Sequence, residues 1–150
     1  MNNTEEESVV YPNLKNYNLL IAEDDIFSFQ MMKHMLSSTK ANIFHADTGL
    51  KAVEIVKNEN IDFLFLDIRL PELNGYQVIK EIRKFNETLP IVAQTANALP
   101  EDRQRIINSG FNAHITKPFL QEELIRVIKK FIYNEKSILE ENMNCDLSEN

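Results

Sequence analysis

Short apolar runs alternate with amphipathic stretches along the whole chain. Residues 17–22 and 61–67 are too short for helices and almost continuously apolar, which is typical of strands buried on both faces. Between such runs, apolar residues recur three or four positions apart, the spacing of a helix with one buried face. The pattern predicts strands at 17–22, 41–46, 61–67, 90–95 and 111–116, followed in turn by helices at 27–38, 50–57, 76–85, 100–109 and 119–133.

This regular alternation decides the predicted fold class. Five strand-then-helix repeats predict an α/β domain with parallel strands, right-handed crossovers and helices on both faces of the sheet. Turn signals agree with it: Asp47 or Thr48 is the predicted N-cap of the second helix, and Pro100 and Gly110 begin and end the fourth. In such sheets the working site lies beyond the carboxyl ends of the strands, at the topological switch point.

The first helix carries two sets of apolar residues. The set that we predict to face the core consists of Met31, Met32, Met35 and Leu36. Ile26 and Phe29 fall off this stripe. We predict that they flank the site after the first strand, either as an exposed apolar patch suited to recognition or partly buried under the preceding loop.

Polar side chains stand where four of the predicted strands end. These groups are Glu23, Asp24, Asp67, Thr95 and Lys117. Because the carboxyl ends of parallel strands meet at one edge of a sheet, we expect all five to converge on one crevice. Asp25 is a further acid beside the first pair, and we do not count it as a ligand.

Three carboxylates in one crevice repel each other, and a hard divalent cation relieves that repulsion. Mg²⁺ prefers oxygen ligands and keeps several waters, so carboxylates, a backbone carbonyl and a phosphoryl oxygen would complete its shell. Asp67, at the end of the third strand, could act as a nucleophile toward phosphorus. Lys117 and Thr95 would supply the charge neutralisation and positioning that phosphoryl transfer needs.

Composition and charge narrow the function classes. The 150 residues carry a net charge of −7, which argues against a binder of nucleic-acid backbones. The single cysteine, Cys145, rules out a disulfide framework and a Cys-ligated zinc site. With no signal peptide and no 18-residue apolar segment, we expect a soluble cytoplasmic protein without membrane insertion. Residues 1–16 carry a net charge of −2 and residues 136–150 a net charge of −3. Because most of the negative charge lies in these two segments, the net charge of the chain says little about its partners.

The motifs at the strand ends carry a family resemblance. They are Leu19-Leu-Ile-Ala-Glu-Asp24, Phe63-Leu-Phe-Leu-Asp67-Ile-Arg-Leu-Pro71, Asn74-Gly75-Tyr76, Val92-Ala-Gln-Thr95-Ala96 and Ile115-Thr-Lys117-Pro118-Phe119. In this order and spacing they make residues 17–135 resemble the receiver (response regulatory) domains of two-component signalling. The resemblance implies a flavodoxin-like, doubly wound (βα)5 three-layer sandwich with strand order 2-1-3-4-5. Residues 1–16 would be a polar lead or linker, and residues 136–150 an acidic tail that could extend the last helix.

The resemblance also implies a phospho-acceptor site. Asp67 would accept a phosphoryl group from the phosphohistidine of a histidine kinase or a histidine phosphotransfer domain, with Mg²⁺ as cofactor and Mn²⁺ as a substitute. Asp24 and Asp67 would bind the metal directly, and Glu23 would act through water. Arg69 would offer its backbone carbonyl to the same ion.

A phosphoryl-binding pair and a switch follow from the same resemblance. Thr95 and Lys117 would bind the phosphoryl group, and the bond between Lys117 and Pro118 would be cis. Phosphorylation would shift a two-state equilibrium at the face of helix four, strand five and helix five, where a downstream protein or a second copy would bind. Receivers usually have Tyr or Phe three residues before the lysine, whereas this chain has His114, so a switch role and a structural role both stay open for it.

Other functions on this kind of sheet have less support. An aspartyl-phosphate hydrolase of the haloacid-dehalogenase type would need an acid two residues after the nucleophile, and residue 69 is arginine. A nucleotide- or flavin-binding module would want a glycine-rich loop after the first strand. A receiver would not be a turnover enzyme, because it would catalyse only its own phosphorylation and dephosphorylation, with Arg69 and Asn97 tuning the hydrolysis. We expect either a stand-alone regulator or the receiver of a hybrid histidine kinase.

Overall fold

The computed structural model describes residues 11–96 and 99–132. The elements in chain order are β1 (Asn18–Ala22), α1 (Ile26–Leu36), β2 (Asn42–Ala46), α2 (Gly49–Asn58), β3 (Phe63–Asp67), α3 (Gly75–Arg83), β4 (Ile91–Thr95), α4 (Pro100–Asn108), β5 (Ala113–Thr116) and a helix α5 that covers 121–132 of the described residues. One turn of 3-10 helix, Ser37–Thr39, follows α1.

The five strands form one parallel sheet in the order β2-β1-β3-β4-β5. This confirms the predicted fold class and strand order. The register pairs Asp67 with Gln94 and Thr95 with Thr116, so three neighbouring strands end at the same edge of the sheet. The predicted crevice therefore has a place in the fold.

Apolar cores lie on both faces of the sheet, and β3 contributes to each. Leu64 and Leu66 pack against the α2 and α3 side, whereas Phe63 and Phe65 pack against the α1 and α5 side. All four side chains are fully buried. Each contributes roughly 1.5–3 kcal/mol by leaving water, and this burial explains why β3 has an unbroken apolar sequence.

Side-chain caps fix where the helices begin. The Asp25 carboxylate accepts the backbone N–H of Phe27 at 2.9 Å and caps α1. Of the two candidates for α2, Thr48 is the cap and accepts the N–H of Lys51 at 3.1 Å. These bonds satisfy donors that a helix N-terminus leaves without a partner, and they set the direction in which each helix leaves its strand.

The core-facing side of α1 differs from the predicted one. Met32 and Leu36 are buried as expected, and Met35 is half-buried, but Met31 is 58% exposed. Phe29, which we predicted to fall off the core stripe, is buried. The helix turns residues 29, 32 and 36 toward the sheet, which is the i, i+3, i+7 spacing. Met31 lies about 100° from Met32 around the helix axis.

The segment before β1, predicted as part of the polar lead, packs onto the domain through Pro12 and Leu14. Leu14 is 1% exposed, and its N–H donates to the carbonyl of Thr39 at 2.7 Å. None of the described helices has the length and apolarity to cross a membrane. The predictions for residues 1–10, Asn97, Cys145 and the acidic tail fall outside the described residues.

Candidate functional site

The ends of the strands open into one polar cleft. Its volume is about 360 Å³, and its lining residues are Asp24, Asp25, Asp67, Ile68, Arg69, Gln94, Thr95, Ala96 and Lys117. They come from the ends of β1, β3 and β4 and from the segment after β5. The convergence that the sequence predicted is therefore present.

Three carboxylates meet in this cleft with different exposure. Glu23 is 1% exposed and Asp67 is 8% exposed, whereas Asp24 is exposed to solvent. One oxygen from each lies within 4.8 Å of the others. Hard oxygen donors at this spacing, one of them open to water, suit a cation such as Mg²⁺ that retains part of its hydration shell.

Lys117 holds the two buried carboxylates together. Its Nζ donates to Glu23 Oε2 at 2.6 Å and to Asp67 Oδ2 at 2.8 Å. The lysine side chain is 27% exposed, so the ammonium lies in the wall of the cleft rather than in open solvent. The peptide bond between Lys117 and Pro118 is cis, as the resemblance implied. The ammonium thus neutralises part of the charge that the acids bring together.

Burial and mutual contact change the pKa values of this group. Burial raises the pKa of Glu23 from 4.5 to about 7, its contact with Asp67 adds to that rise, and its hydrogen bond to Lys117 opposes it. Burial also acts on the pKa of Lys117 and lowers it, but hydrogen bonds to Asp67 and Glu23 more than compensate and leave it raised. The charged lysine is therefore held firmly, whereas the Glu23 carboxylate titrates close to neutral pH.

Backbone around β3 supports Asp67 from the other side. The N–H of Arg69 donates to Asp67 Oδ1 at 2.8 Å, while the Arg69 side chain is exposed. Gly75 packs against this turn, because a Cβ at that position would lie 2.7 Å from the Cα of Ile68 and 2.8 Å from the carbonyl oxygen of Asp67. Only glycine allows such a close backbone approach, and this approach fixes the loop that bears Asp67.

His45 belongs to the surroundings of the site, although no motif or spacing along the chain indicates this. Its Nε2 lies 2.8 Å from the carbonyl oxygen of Glu23, a geometry that suits N–H donation to that oxygen. Its ring stacks on Phe29 with a centroid distance of 3.7 Å. The β2 strand end thereby holds the backbone at Glu23. Only the pairing of β1 with β2, which periodicity does not reveal, brings these residues together.

The remaining predicted residues separate into two groups. Thr95 is half-buried and lines the cleft, and Asp25 lines it as well while capping α1. His114 is half-buried on β5 and is not among the residues that line the cleft. Burial lowers the pKa of His114, and the positive charge of Arg103 on α4 lowers it further. Its neighbours are therefore those of the α4 side.

Comparison with protein families gives one clear match. The response regulator receiver domain family matches residues 19–129. The cell cycle response regulator CtrA of Brucella ovis is 31% identical over 118 residues, which is 79% of this chain. The chain spans about half of CtrA, 51% of its length.

Solved structures agree with this match. The receiver domain of the sensor histidine kinase PA1611 from Pseudomonas aeruginosa has 32% identity and a TM-score of 0.74, covers 79% of this chain and 98% of its own, and has a magnesium ion coordinated in its active site cleft. The complex of the Saccharomyces cerevisiae phosphotransfer protein Ypd1 with the receiver domain of Ssk1 has 29% identity and a TM-score of 0.74, over 81% of this chain and 90% of the matched one. By sequence and by fold, this chain belongs to the response regulator receiver domain family of two-component signalling.

Proposed function

We propose that this receiver accepts a phosphoryl group on Asp67 from a phosphohistidine donor in a reaction that requires Mg²⁺. The observation that carries the proposal is the environment of Asp67, which ends β3 in the cleft. Its two oxygens accept hydrogen bonds from the N–H of Arg69 and from the ammonium of Lys117. A carboxylate fixed at both oxygens beside two further acids is positioned for in-line attack on phosphorus.

The donor set around the cleft fits Mg²⁺. Asp24 and Asp67 would bind the ion directly, Glu23 would act through water, and the carbonyl of Arg69 would complete the protein ligands. A bound Mg²⁺ would supply positive charge to the carboxylates and to the phosphoryl oxygens. The site accommodates that role because Asp24 is open to solvent, whereas Glu23 and Asp67 are held in place beneath it.

Asp67, Lys117 and Thr95 would each have a separate role in the phosphoryl transfer. An Asp67 oxygen attacks the phosphorus, the bond from phosphorus to the donor's imidazole nitrogen breaks, and the released electron pair returns to that nitrogen, which takes up a proton from solvent. Lys117 neutralises the charge on the phosphoryl oxygens, and the Thr95 hydroxyl donates a hydrogen bond to one of them. These steps conserve atoms and charge without turnover of a free substrate, so we infer a signalling module rather than an enzyme. A hydrolase would need an acid where Arg69 stands.

The proposed donor is a histidine kinase or a histidine phosphotransfer protein. Exposed apolar side chains of α1 lie beside the cleft, with Ile26 50%, Phe27 77% and Met31 58% exposed. Such a surface suits docking of an amphipathic helix that carries the phosphohistidine. The structural relative bound to Ypd1 supports a partner of that class.

The output side would be the face of α4, β5 and α5. Leu99 and Ile107 are 57% and 61% exposed at α4, and His114 of β5 lies toward that helix. We infer that phosphorylation alters this face and so changes binding of a downstream protein or of a second copy. The chain would serve either as a free regulator or as part of a hybrid histidine kinase.

Acetyl phosphate labelling tests the acceptor directly. The full chain is incubated with acetyl phosphate and Mg²⁺, and the covalently bound phosphoryl group is quantified by mass spectrometry. We expect Asp67→Asn to reduce labelling at least about a hundredfold, because an amide oxygen is a poor nucleophile.

Asp25→Asn is the matched control, because asparagine is an equally good N-cap and residue 25 lines the same cleft. It should label within about threefold of the wild type, as expected for a residue outside the reacting set. Equal labelling of Asp67→Asn and wild type would show that the acceptor is another residue. Labelling that is unchanged by EDTA would remove the metal from the proposal.

A further inference from the structure

Gln94 is a buried polar residue whose hydrogen-bonding groups are not used. It is 0% exposed, and within the described part of the chain neither its Oε1 nor its Nε2 has a hydrogen-bond partner. Buried side-chain amides nearly always have a partner. The rest of β4 from Ile91 to Ala93 is buried and apolar, so an apolar residue at position 94 would satisfy the fold without this cost.

Gln94 stands between two cavities. One is the acidic cleft, and the other is a cavity of about 270 Å³ lined by Ser28, Met31, Met32, Gln94, Lys117, Pro118 and Phe119. Among the residues that the structure describes, Gln94 and Lys117 belong to both linings. Gln94 and Lys117 therefore both lie where the two cavities adjoin.

The present partners of Lys117 are groups that a cation would also use. Two of the three N–H groups of its ammonium point at Glu23 and Asp67. A divalent cation beside these carboxylates draws on the same oxygens and repels the ammonium. Because the lysine side chain is only 27% exposed, the ammonium N–H groups that do not reach the phosphoryl oxygens then need another acceptor inside the wall.

We propose that the Oε1 of Gln94 is that acceptor, and that Gln94 positions Lys117 when a cation and a phosphoryl group occupy the cleft. The inference rests on the proposed function. Gln94 is a positioning residue, since it acts through Lys117 and not on the phosphoryl group. In this structure Lys117 donates to Glu23 and Asp67, and the Gln94 amide has no partner among the described residues.

Gln94→Met separates this role from a structural one, because methionine has nearly the same length but no strong donor or acceptor. In the full chain with EDTA, we expect the urea midpoint of the variant to equal or exceed that of the wild type. With saturating Mg²⁺, we expect phosphorylation of Asp67 by acetyl phosphate to be about five- to tenfold slower. Gln104→Met, at an exposed position of α4, should change neither quantity.

A double variant tests the dependence on Lys117. If Gln94 acts through the lysine, Gln94→Met in a Lys117→Ala background should label within about twofold of Lys117→Ala alone. Phosphorylation of Gln94→Met at the wild-type rate would overturn the inference. So would a loss of urea midpoint in that variant that parallels its loss of rate, or a rate in the double variant that is lowered by the product of the two single effects. Should Gln94→Met fail to fold, Gln94→Leu serves the same comparison. If the wild type itself takes no label on Asp67, the proposed function fails and this inference falls with it.

Discussion

At the scale of residues, burial gives the three acids of the cleft different tasks. Asp24 is open to solvent and free to meet a hydrated ion, whereas Glu23 and Asp67 are buried against Lys117. Asp25 lies next to them in the chain, but its carboxylate is engaged at the start of α1. Neighbours in sequence with the same chemistry therefore differ in what they contribute.

Alanine substitutions at positions 24 and 25 should separate metal binding from folding. Asp24→Ala should weaken Mg²⁺ binding more than about tenfold and leave stability nearly unchanged, because it removes a solvent-exposed ligand. Asp25→Ala should lower the free energy of unfolding by about 1 kcal/mol through loss of the cap and change Mg²⁺ affinity less than about threefold. Calorimetric titration and urea unfolding measure the two effects. Equal loss of Mg²⁺ affinity in both variants would contradict the assignment of metal binding to Asp24 and of helix capping to Asp25.

The raised pKa of Glu23 predicts a pH-dependent loss of stability in the metal-free protein. Between the unfolded value of 4.5 and the folded value of about 7, the folded state binds more protons, so stability falls as pH rises through this window. Glu23→Gln cannot titrate and should escape that loss.

We expect Glu23→Gln to exceed the wild type at pH 8 by on the order of 1–3 kcal/mol, since each pKa unit corresponds to about 1.4 kcal/mol. The two proteins should differ little at pH 4. Urea unfolding in EDTA at both pH values tests this. Parallel pH profiles would mean that the glutamate is not buried in its neutral form.

The principal site residues could be predicted because they follow strands in a parallel sheet. Asp67, Thr95 and Lys117 each stand at a strand end, and strand ends of one sheet edge must meet. His45 and Gln94 could not be found in this way. His45 meets Glu23 only through the register of β1 with β2, and the unpartnered state of Gln94 depends on three-dimensional surroundings that no spacing rule describes.

At the scale of elements, the hydrogen-bonded loop between β3 and α3 holds Asp67 in position more than helix propensity does. The loop from β3 to α3 closes when the N–H of Gly75 donates to the carbonyl of Ile68 at 2.8 Å. Asn74 and Gln77 then form a reciprocal capping box that starts α3. The turn beside Asp67 is thus held from the helix side as well as from the strand.

Gly75→Ala should disturb the site as well as the fold. An added Cβ would collide with backbone of residues 67 and 68, so we expect a loss of about 1–3 kcal/mol in unfolding free energy and at least tenfold slower labelling of Asp67.

Gly110→Ala is the control variant for this prediction. Gly110 has a φ of 100°, and its Cβ would make ordinary contacts with the side chains of Arg83, at 3.6 Å, and Ile79, at 3.8 Å. It should cost about 1 kcal/mol and leave labelling unchanged. Unaffected labelling in Gly75→Ala would show that this loop does not position Asp67.

The element boundaries show where periodicity is informative. Strands and helices were predicted in the right order, because the change from continuous to spaced apolar residues is strong in this chain. The buried face of α1 was predicted only in part, because its apolar residues surround most of the helix: Met32 and Leu36 are buried as expected, but Met31 is exposed. Tertiary contact of Phe29 with His45, rather than spacing, selects the face that packs.

At the scale of the whole molecule, the two cores leave a distinctive surface beside the cleft. Phe27 is 77% exposed on α1, and Leu120 is 65% exposed after β5. If the proposed function holds, these exposed apolar side chains would form a contact surface for a protein donor. Total composition and net charge did not reveal it, because they average over the ends of the chain and the domain.

Phe27→Ala should distinguish protein donors from small ones. With a kinase or phosphotransfer protein that phosphorylates the wild type, we expect at least about fivefold slower transfer, because a large apolar contact is lost. Labelling by acetyl phosphate should be unchanged, since that donor needs no docking surface. Leu50→Ala, 54% exposed on α2, is the control and should alter neither reaction. A loss with both donors would place the defect in the cleft instead.

The two hydrogen bonds of Lys117 also bear on the order of assembly. Since the lysine pairs with both Glu23 and Asp67, we expect the chain to fold without an ion, unlike small metal-dependent domains that are unfolded when no metal is bound. The concentration of Mg²⁺ would then determine when the domain can be phosphorylated, and not whether it stays folded. Depletion of magnesium would silence such a receiver reversibly, leaving an intact molecule ready to respond as soon as the ion returns.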